Sequence, residues 1–342
     1  MSQEPLSLDA LTLEDGHLFH DRKGRPKPLP RAWAPLADTH GHLTCLRRHD
    51  PSVALCRAAL AGVRLLVVPV DPVDELPRTG DPPQALLDWV DRQVDQAAQR
   101  IDECADHGLV PPVPEGWEGG LPSLVDNVYL LAGAHPYGAP QLDADALARM
   151  EALLASPRCV GVGEIGLDFG PYSEVPAEVQ ERAFRRQLRM AHELGLPVEL
   201  HIRDAQDDPE ASAHRLAARI LGEEGVPERG CDLHCFTQGP EVMAPFVELG
   251  CHVAFGGAAT FRRSDDIRAA AVACPAGRIL SETDCPYMAP VPLRGEECEF
   301  AMVAWSAACL ADARDEAGVA PGGETYRVLW DNACAFLTPG LL

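Results

Sequence analysis

The sequence predicts a protein of the α/β class built as a single (β/α)8 TIM barrel, and three observations carry that reading. Eight short apolar runs alternate with helix-like segments, and alternation of this kind implies a parallel sheet. Polar residues of metal-binding type fall at the ends of these runs again and again, which is where barrel enzymes place their chemistry. Finally, 342 residues, 46% apolar and 24% charged, have an ordinary globular composition and enough chain to bury one such core.

The elements follow in order. Residues 1–30 are polar, end in the Pro- and Arg-rich stretch DRKGRPKPLPR, and read as a short irregular N-terminal extension; the barrel domain occupies 31–342. Strand 1 runs from Trp33 to DTHGHL, a helix follows near 52–61, and VRLLVVPV reads as a buried parallel strand. Between Asp71 and Asn127 the alternation is interrupted by DPVDELPRTGDPP, a long helix-like run near 85–107 and the return VPPVPEGWEGGLP. Residues 71–127 therefore read as an insertion after strand 2, on the catalytic face. The pattern resumes with VYLLAGAHP, a helix near 143–154, CVGVGEIGL, and an amphipathic helix near 175–194. LPVELH, CDLHCF, CHVAFGG and RILSETD supply the last four strands, with helices near 211–224, 241–249 and 265–273 between them and near 299–316 and 324–336 after them.

A net charge of -23 opposes non-specific attraction to nucleic acid or to an anionic membrane. The twelve cysteines are scattered from Cys45 to Cys334 without a C-x-x-C pair, which favours reduced thiols over a disulfide scaffold. The N-terminus carries acids where a signal peptide would be basic, and no run approaches the roughly 20 apolar residues of a membrane span. The expectation is a cytoplasmic enzyme without membrane association or an obligate protein partner.

The chemistry is read from residue types at strand ends. His40 and His42, two apart in D-T-H-G-H, project to one side and suit one cation. Glu164 interrupts an apolar strand, where an uncompensated carboxylate is costly, and a bridge between cations explains it. His201 and His234 each close an apolar strand, as neutral imidazole ligands of Zn, Mn or Fe would. Asp284, in I-L-S-E-T-D-C-P, is placed both to ligate metal and to accept a proton from bound water. Each has a plainer reading: a loop histidine, a hydrogen-bonded core histidine, a helix N-cap. Barrel geometry brings the strand ends together, and six such residues converging favours a two-metal site of His40, His42, Glu164, His201, His234 and Asp284 that performs hydrolysis. His135 closes strand 3. Arg203 is placed either to grip a phosphate oxygen or to pair with Asp204 or Asp168, Arg262 and Arg263 offer another phosphate contact or a solvated surface, and Cys235 and Cys285 read as small packed side chains. The other seven histidines are assigned no role.

In sum the motifs D-T-H-G-H-L, G-A-H-P, G-E-I-G-L-D-F, P-V-E-L-H-I-R-D-A, L-H-C-F and E-T-D-C-P-Y, spread from about Asp38 to Asn332, resemble those of the TatD family of metal-dependent deoxyribonucleases, an amidohydrolase-like barrel family. The resemblance implies that His40, His42 and Asp284 hold one divalent ion, that His201 and His234 hold the other, and that Glu164 bridges them. It further implies that Asp284 receives the proton as hydroxide held between the ions attacks, and that His135 contacts the substrate. Thr44 departs from the family, which usually has an acidic or amide residue there. The expected function is hydrolysis of DNA phosphodiesters, 3′-5′ exonuclease-like, with two divalent ions (Zn, Mn or Mg); the alternatives are another ester or amide, such as an aminoacyl ester, and a non-catalytic binding protein on the same barrel.

Overall fold

The computed structural model describes residues 15–76 and 82–338. Its eight strands, β1 (Leu36–Asp38), β2 (Val63–Val70), β3 (Val128–Ala132), β4 (Cys159–Asp168), β5 (Val198–Arg203), β6 (Cys231–Leu233), β7 (His252–Phe255) and β8 (Ile279–Ser281), pair in sequence order, every pair parallel. Between β8 and β1 the ring is drawn together by Thr39 N to Ser281 O at 3.2 Å, Asp284 N to His40 O at 3.0 Å and His42 N to Cys285 O at 2.6 Å. These bonds lie just beyond the strands, so closure of the barrel fixes the segments that carry His40, His42 and Asp284.

The helices are α1 (Pro51–Leu60), α2 (Pro83–Asp106), α3 (Ala144–Leu154), α4 (Ala177–Leu194), α5 (Ser212–Glu224), α6 (Pro240–Glu248), α7 (Asp265–Ala273), α8 (Val303–Glu316) and α9 (Gly322–Leu337). Local chemistry sets several boundaries. Asp50 caps α1 by accepting from Ser52 N and Val53 N, with Pro51 at the first turn. Asp143 caps α3 through Ala146 N, and α4 stops at Gly195, whose φ of 65° is cheap only for glycine.

Alternation along each strand separates two cores. Leu66, Val68, Val198, Leu200, Cys231, Leu233, Val253 and Phe255 face the helices, whereas Ala37, Leu65, Val67, Leu131, Ala254 and Leu280 join Trp330, Phe336 and Leu337 of α9 in the barrel interior. Helix α9 thus plugs the end of the barrel opposite the strand C-termini.

The segment 71–127 is not one inserted block on the catalytic face. Its helix α2 packs between α1 and α3 and buries Leu86, Val90, Val94 and Ala97 in the main core, so it is the barrel's own second outer helix. The return 107–123 runs beneath the barrel, where Arg64, at the start of β2, donates to Pro112 O at 2.9 Å and Trp117 meets Trp330 edge-on at 6.5 Å. Among the described residues of this segment, those that line the catalytic cleft belong to the turn after β2: Asp71, Val73, Asp74 and Glu75. The N-terminal extension, described from Asp15, is also more ordered than an irregular lead-in: His20 bridges Pro26 and Phe19 is buried edge-on against Trp305 at 5.5 Å.

Candidate metal centre

All six expected residues meet at the C-terminal mouth of the barrel. Glu164 lies within β4 and His201 within β5, so both are carried by strand backbone; His234 follows β6 directly. His40 and His42 lie past β1 and Asp284 past β8, at a φ of 56°, held by the closure bonds described above.

The donors fall into two groups that share one carboxylate. Glu164 Oε2 is 3.2 Å from His201 Nδ1 and 3.0 Å from His234 Nε2, and those two nitrogens are 3.2 Å apart. On the other side His40 Nε2 and His42 Nε2 are 3.2 Å apart and each is 3.7 Å from Asp284 Oδ1, while Glu164 Oε1 is 3.8 Å from His42 Nε2. Imidazole nitrogens and carboxylate oxygens gathered this closely, nearly out of contact with water, form a donor set that fits divalent cations of the Zn and Mn type.

Behind the donors stand carboxylates that the sequence reading did not single out. Asp168 Oδ2 lies 3.0 Å from His201 Nε2, Glu199 Oε1 lies 2.8 Å from His40 Nδ1, and Glu282 Oε2 lies 4.0 Å from His234 Nδ1 while its Oε1 accepts from Cys235 N. The signal was present: each is an acid inside or closing an apolar run, the same criterion that selected Glu164.

Electrostatics differ across the cluster. Burial would depress the His201 imidazole, yet its hydrogen bonds to Asp168 and Glu164 outweigh burial and raise its pKa to about 9. Burial lowers His40 to about 4 and His234 to about 3, and it raises Asp284 to about 7 with help from the Glu164 charge. Burial also opposes ionisation of Glu164, but the histidines around it, His135 first, hold that carboxyl well below the usual range.

A cleft of about 1380 Å³ opens over the cluster, lined among others by His135, Arg203, Tyr137, Tyr172 and Tyr287. His135 accepts from Tyr137 N at 3.1 Å and its ring lies 4.3 Å from that of His201. Arg203 is half exposed, with a guanidinium nitrogen 3.7 Å from Asp168 Oδ2, so the structure joins the two readings made of it: it leans on Asp168 and still reaches the cleft. Arg262 and Arg263 are exposed but lie outside the cleft lining. Cys285 is packed as expected, whereas Cys235 borders the cleft and its thiol bonds Asp284. Thr44 donates to Glu75 Oε1 at 2.6 Å, so an acid from the turn after β2 stands beside the position where the family usually carries one.

The family model described as "TatD related DNase" matches residues 37–338. The chain is 33% identical over 190 residues to the uncharacterized metal-dependent hydrolase YabD of Bacillus subtilis, covering 56% of this chain and 71% of that protein. It is 39% identical over 178 residues to the uncharacterized metal-dependent hydrolase YcfH of Escherichia coli, covering 52% and 63%, and 41% identical over 169 residues to the 3′-5′ ssDNA/RNA exonuclease TatD of Cronobacter sakazakii, covering 48% and 60%. Among solved structures, the TatD homologue YJJV of Escherichia coli superposes with a TM-score of 0.65 at 24% identity, over 88% of this chain and 97% of that one. A family model spanning nearly the whole barrel, together with these relatives and this fold, places the chain in the TatD-related DNase family of metal-dependent hydrolases.

Proposed function

We propose that the protein hydrolyses phosphodiester bonds from the 3′ end of single-stranded DNA, using two divalent ions of Zn, Mn or Mg. The observation that carries this reading is the division of Glu164: one oxygen faces His201 and His234, the other faces His42, beside His40 and Asp284. One ion would be held by His40, His42, Asp284 and Glu164, and the second by Glu164, His201 and His234. Bound there, the ions would supply Lewis-acid polarisation and lower the pKa of water.

The remaining roles belong to the protein's own side chains. Asp284 is buried between the histidine pair and the cleft, and its carboxylate receives the proton of the attacking water. Glu164 stays ionised and keeps the two donor groups in one frame. Arg203 orients a phosphate oxygen at the cleft wall, and His135, its Nδ1 engaged by Tyr137 N, presents its other ring nitrogen toward the substrate. No helix among the described residues is long and apolar enough to cross a membrane; separately, none of the described cysteines forms a disulfide, which fits a reducing compartment such as the cytoplasm.

The cleft lining favours a second reading. Among the described lining residues Arg203 is the one Arg or Lys, facing Asp71, Asp74, Glu75, Asp204, Asp207 and Asp208, a balance that suits a short ester, such as an aminoacyl ester, better than a long polyanion. Metal-stripped protein given Mg, Mn or Zn and single-stranded DNA separates the two, with His201→Ala as the control. Nucleotide release that requires metal and vanishes in the variant supports the nuclease; metal binding without DNA hydrolysis, and cleavage of an aminoacyl ester, supports the second reading.

A further inference from the structure

Glu199 sits inside the barrel rather than against the helices. Its neighbours Val198 and Leu200 belong to the helix-facing core, so alternation along β5 turns Glu199 and His201 inward together. It is 1% exposed, and the register of β5 on β6 sets it opposite Asp232, also buried. An unpaired acid in such a place opposes folding, and hydrogen bonds within the protein offset little of that cost: Glu199 Oε2 and both oxygens of Asp232 have no partner. Glu199 Oε1 makes a hydrogen bond that crosses the barrel, to His40 Nδ1 at 2.8 Å, between β5 and the end of β1.

We propose that Glu199 is a positioning residue that fixes the orientation and tautomer of His40 for metal binding. The Nε2 of His40 faces His42 and Asp284 and must present a lone pair to a cation, which places the ring proton on Nδ1, where Glu199 Oε1 accepts it. The same bond stops the ring from turning about its Cβ–Cγ axis. A carboxylate behind a ligand histidine holds its ring and raises its basicity, and here that support comes from the opposite side of the barrel, linking the two donor groups independently of Glu164. The cost of burying Glu199 is the physical reason it would not stand there for stability alone.

The inference rests on the metal-ligand reading of His40, and its test measures metal binding, so it survives if DNA proves not to be the substrate. Metal-stripped wild type, Glu199→Gln, Glu199→Asp and Glu199→Leu are titrated with Zn and with Mn against a competing chelator, and the unfolding midpoint of each metal-free protein is recorded. Gln keeps an acceptor oxygen in reach of Nδ1, Asp withdraws it by one methylene, and Leu removes it. The expected result is near-wild-type affinity for Gln, with Asp intermediate and Leu weaker by about 10- to 100-fold, while the metal-free Leu protein unfolds no earlier than wild type. If Leu fails to fold, the Gln and Asp pair decides. Affinity unchanged in Leu or Asp, or lost equally in Gln, overturns the proposal.

Discussion

The two donor groups of the cluster are built differently. Glu164, His201 and His234 are carried by β4, β5 and the first residue after β6, and their atoms lie within 3.0–3.2 Å of one another. His40, His42 and Asp284 stand beyond the ends of β1 and β8, two strands of three residues each, and the Asp284 carboxylate is 3.7 Å from either ring. The first group is carried by strand backbone and braced by Asp168; the second is held by the closure bonds between β8 and β1, with His40 braced from across the barrel by Glu199. Donors 3.0–3.2 Å apart favour the tighter ion in the first group, whereas Asp284, 3.7 Å from either ring, leaves the second group more open.

The largest effect is expected where the two groups join. Glu164→Gln removes the charge that both share, so metal binding should weaken at both sites and hydrolysis should fall below detection; binding of two ions at wild-type affinity by calorimetry would break the shared-carboxylate reading. Next, Asp284→Asn should cost about 10²- to 10⁴-fold in kcat, the range for loss of a proton acceptor, while one ion is retained by the β4–β6 group. A tenfold rise in KM with kcat intact would instead mark Asp284 as a binding residue only.

Removal of single histidines sharpens the contrast. His201→Ala should abolish the tighter phase of a metal titration and His42→Ala the weaker one; the reverse order would show that the seam, not the strands, holds the resident ion. Arg203→Ala should raise KM by roughly 10- to 100-fold, the worth of a hydrogen bond to a charged group, with a smaller change in kcat because Asp168 keeps its bond to His201.

The smallest effect is in pH. The folded pKa of His201, about 9, lies above its ordinary value, so at pH 7 an incoming ion must displace a proton from it. Metal affinity should therefore rise from pH 6.5 to 9, with proton release on binding. In the metal-free protein the sign is opposite: the stability contributed by charged His201 is fully present below pH 6.5 and lost as pH rises through 9. Metal affinity independent of pH across this window would place the displaced proton elsewhere.

Much of the architecture was legible because its signals are local. Apolar runs announced the strands, and the helix-like segments between them announced the outer helices; the caps at Asp50, Asp143 and Gly195 came from the structure. Residues 71–127 were misread because Pro- and Gly-rich flanks look the same whether they bound an insertion or lengthen the ordinary loops on either side of a helix. Only packing on α1 and α3 identified α2 as part of the ring, and the bond from Arg64 to Pro112 with the contact of Trp117 on Trp330 placed the return beneath the barrel.

The same division runs through the site. Sequence alone determined the kind of residue at each strand end, and so singled out six candidate donors, because a buried acid or imidazole in an apolar strand must be compensated and a barrel leaves few ways to do it. Tertiary structure decided which oxygen of Glu164 faces which histidines, and that Glu199, 159 positions from His40 in the chain, stands behind it. Such pairings depend on ring closure and strand register, which are set by the packing of the whole barrel and leave no mark in any one segment.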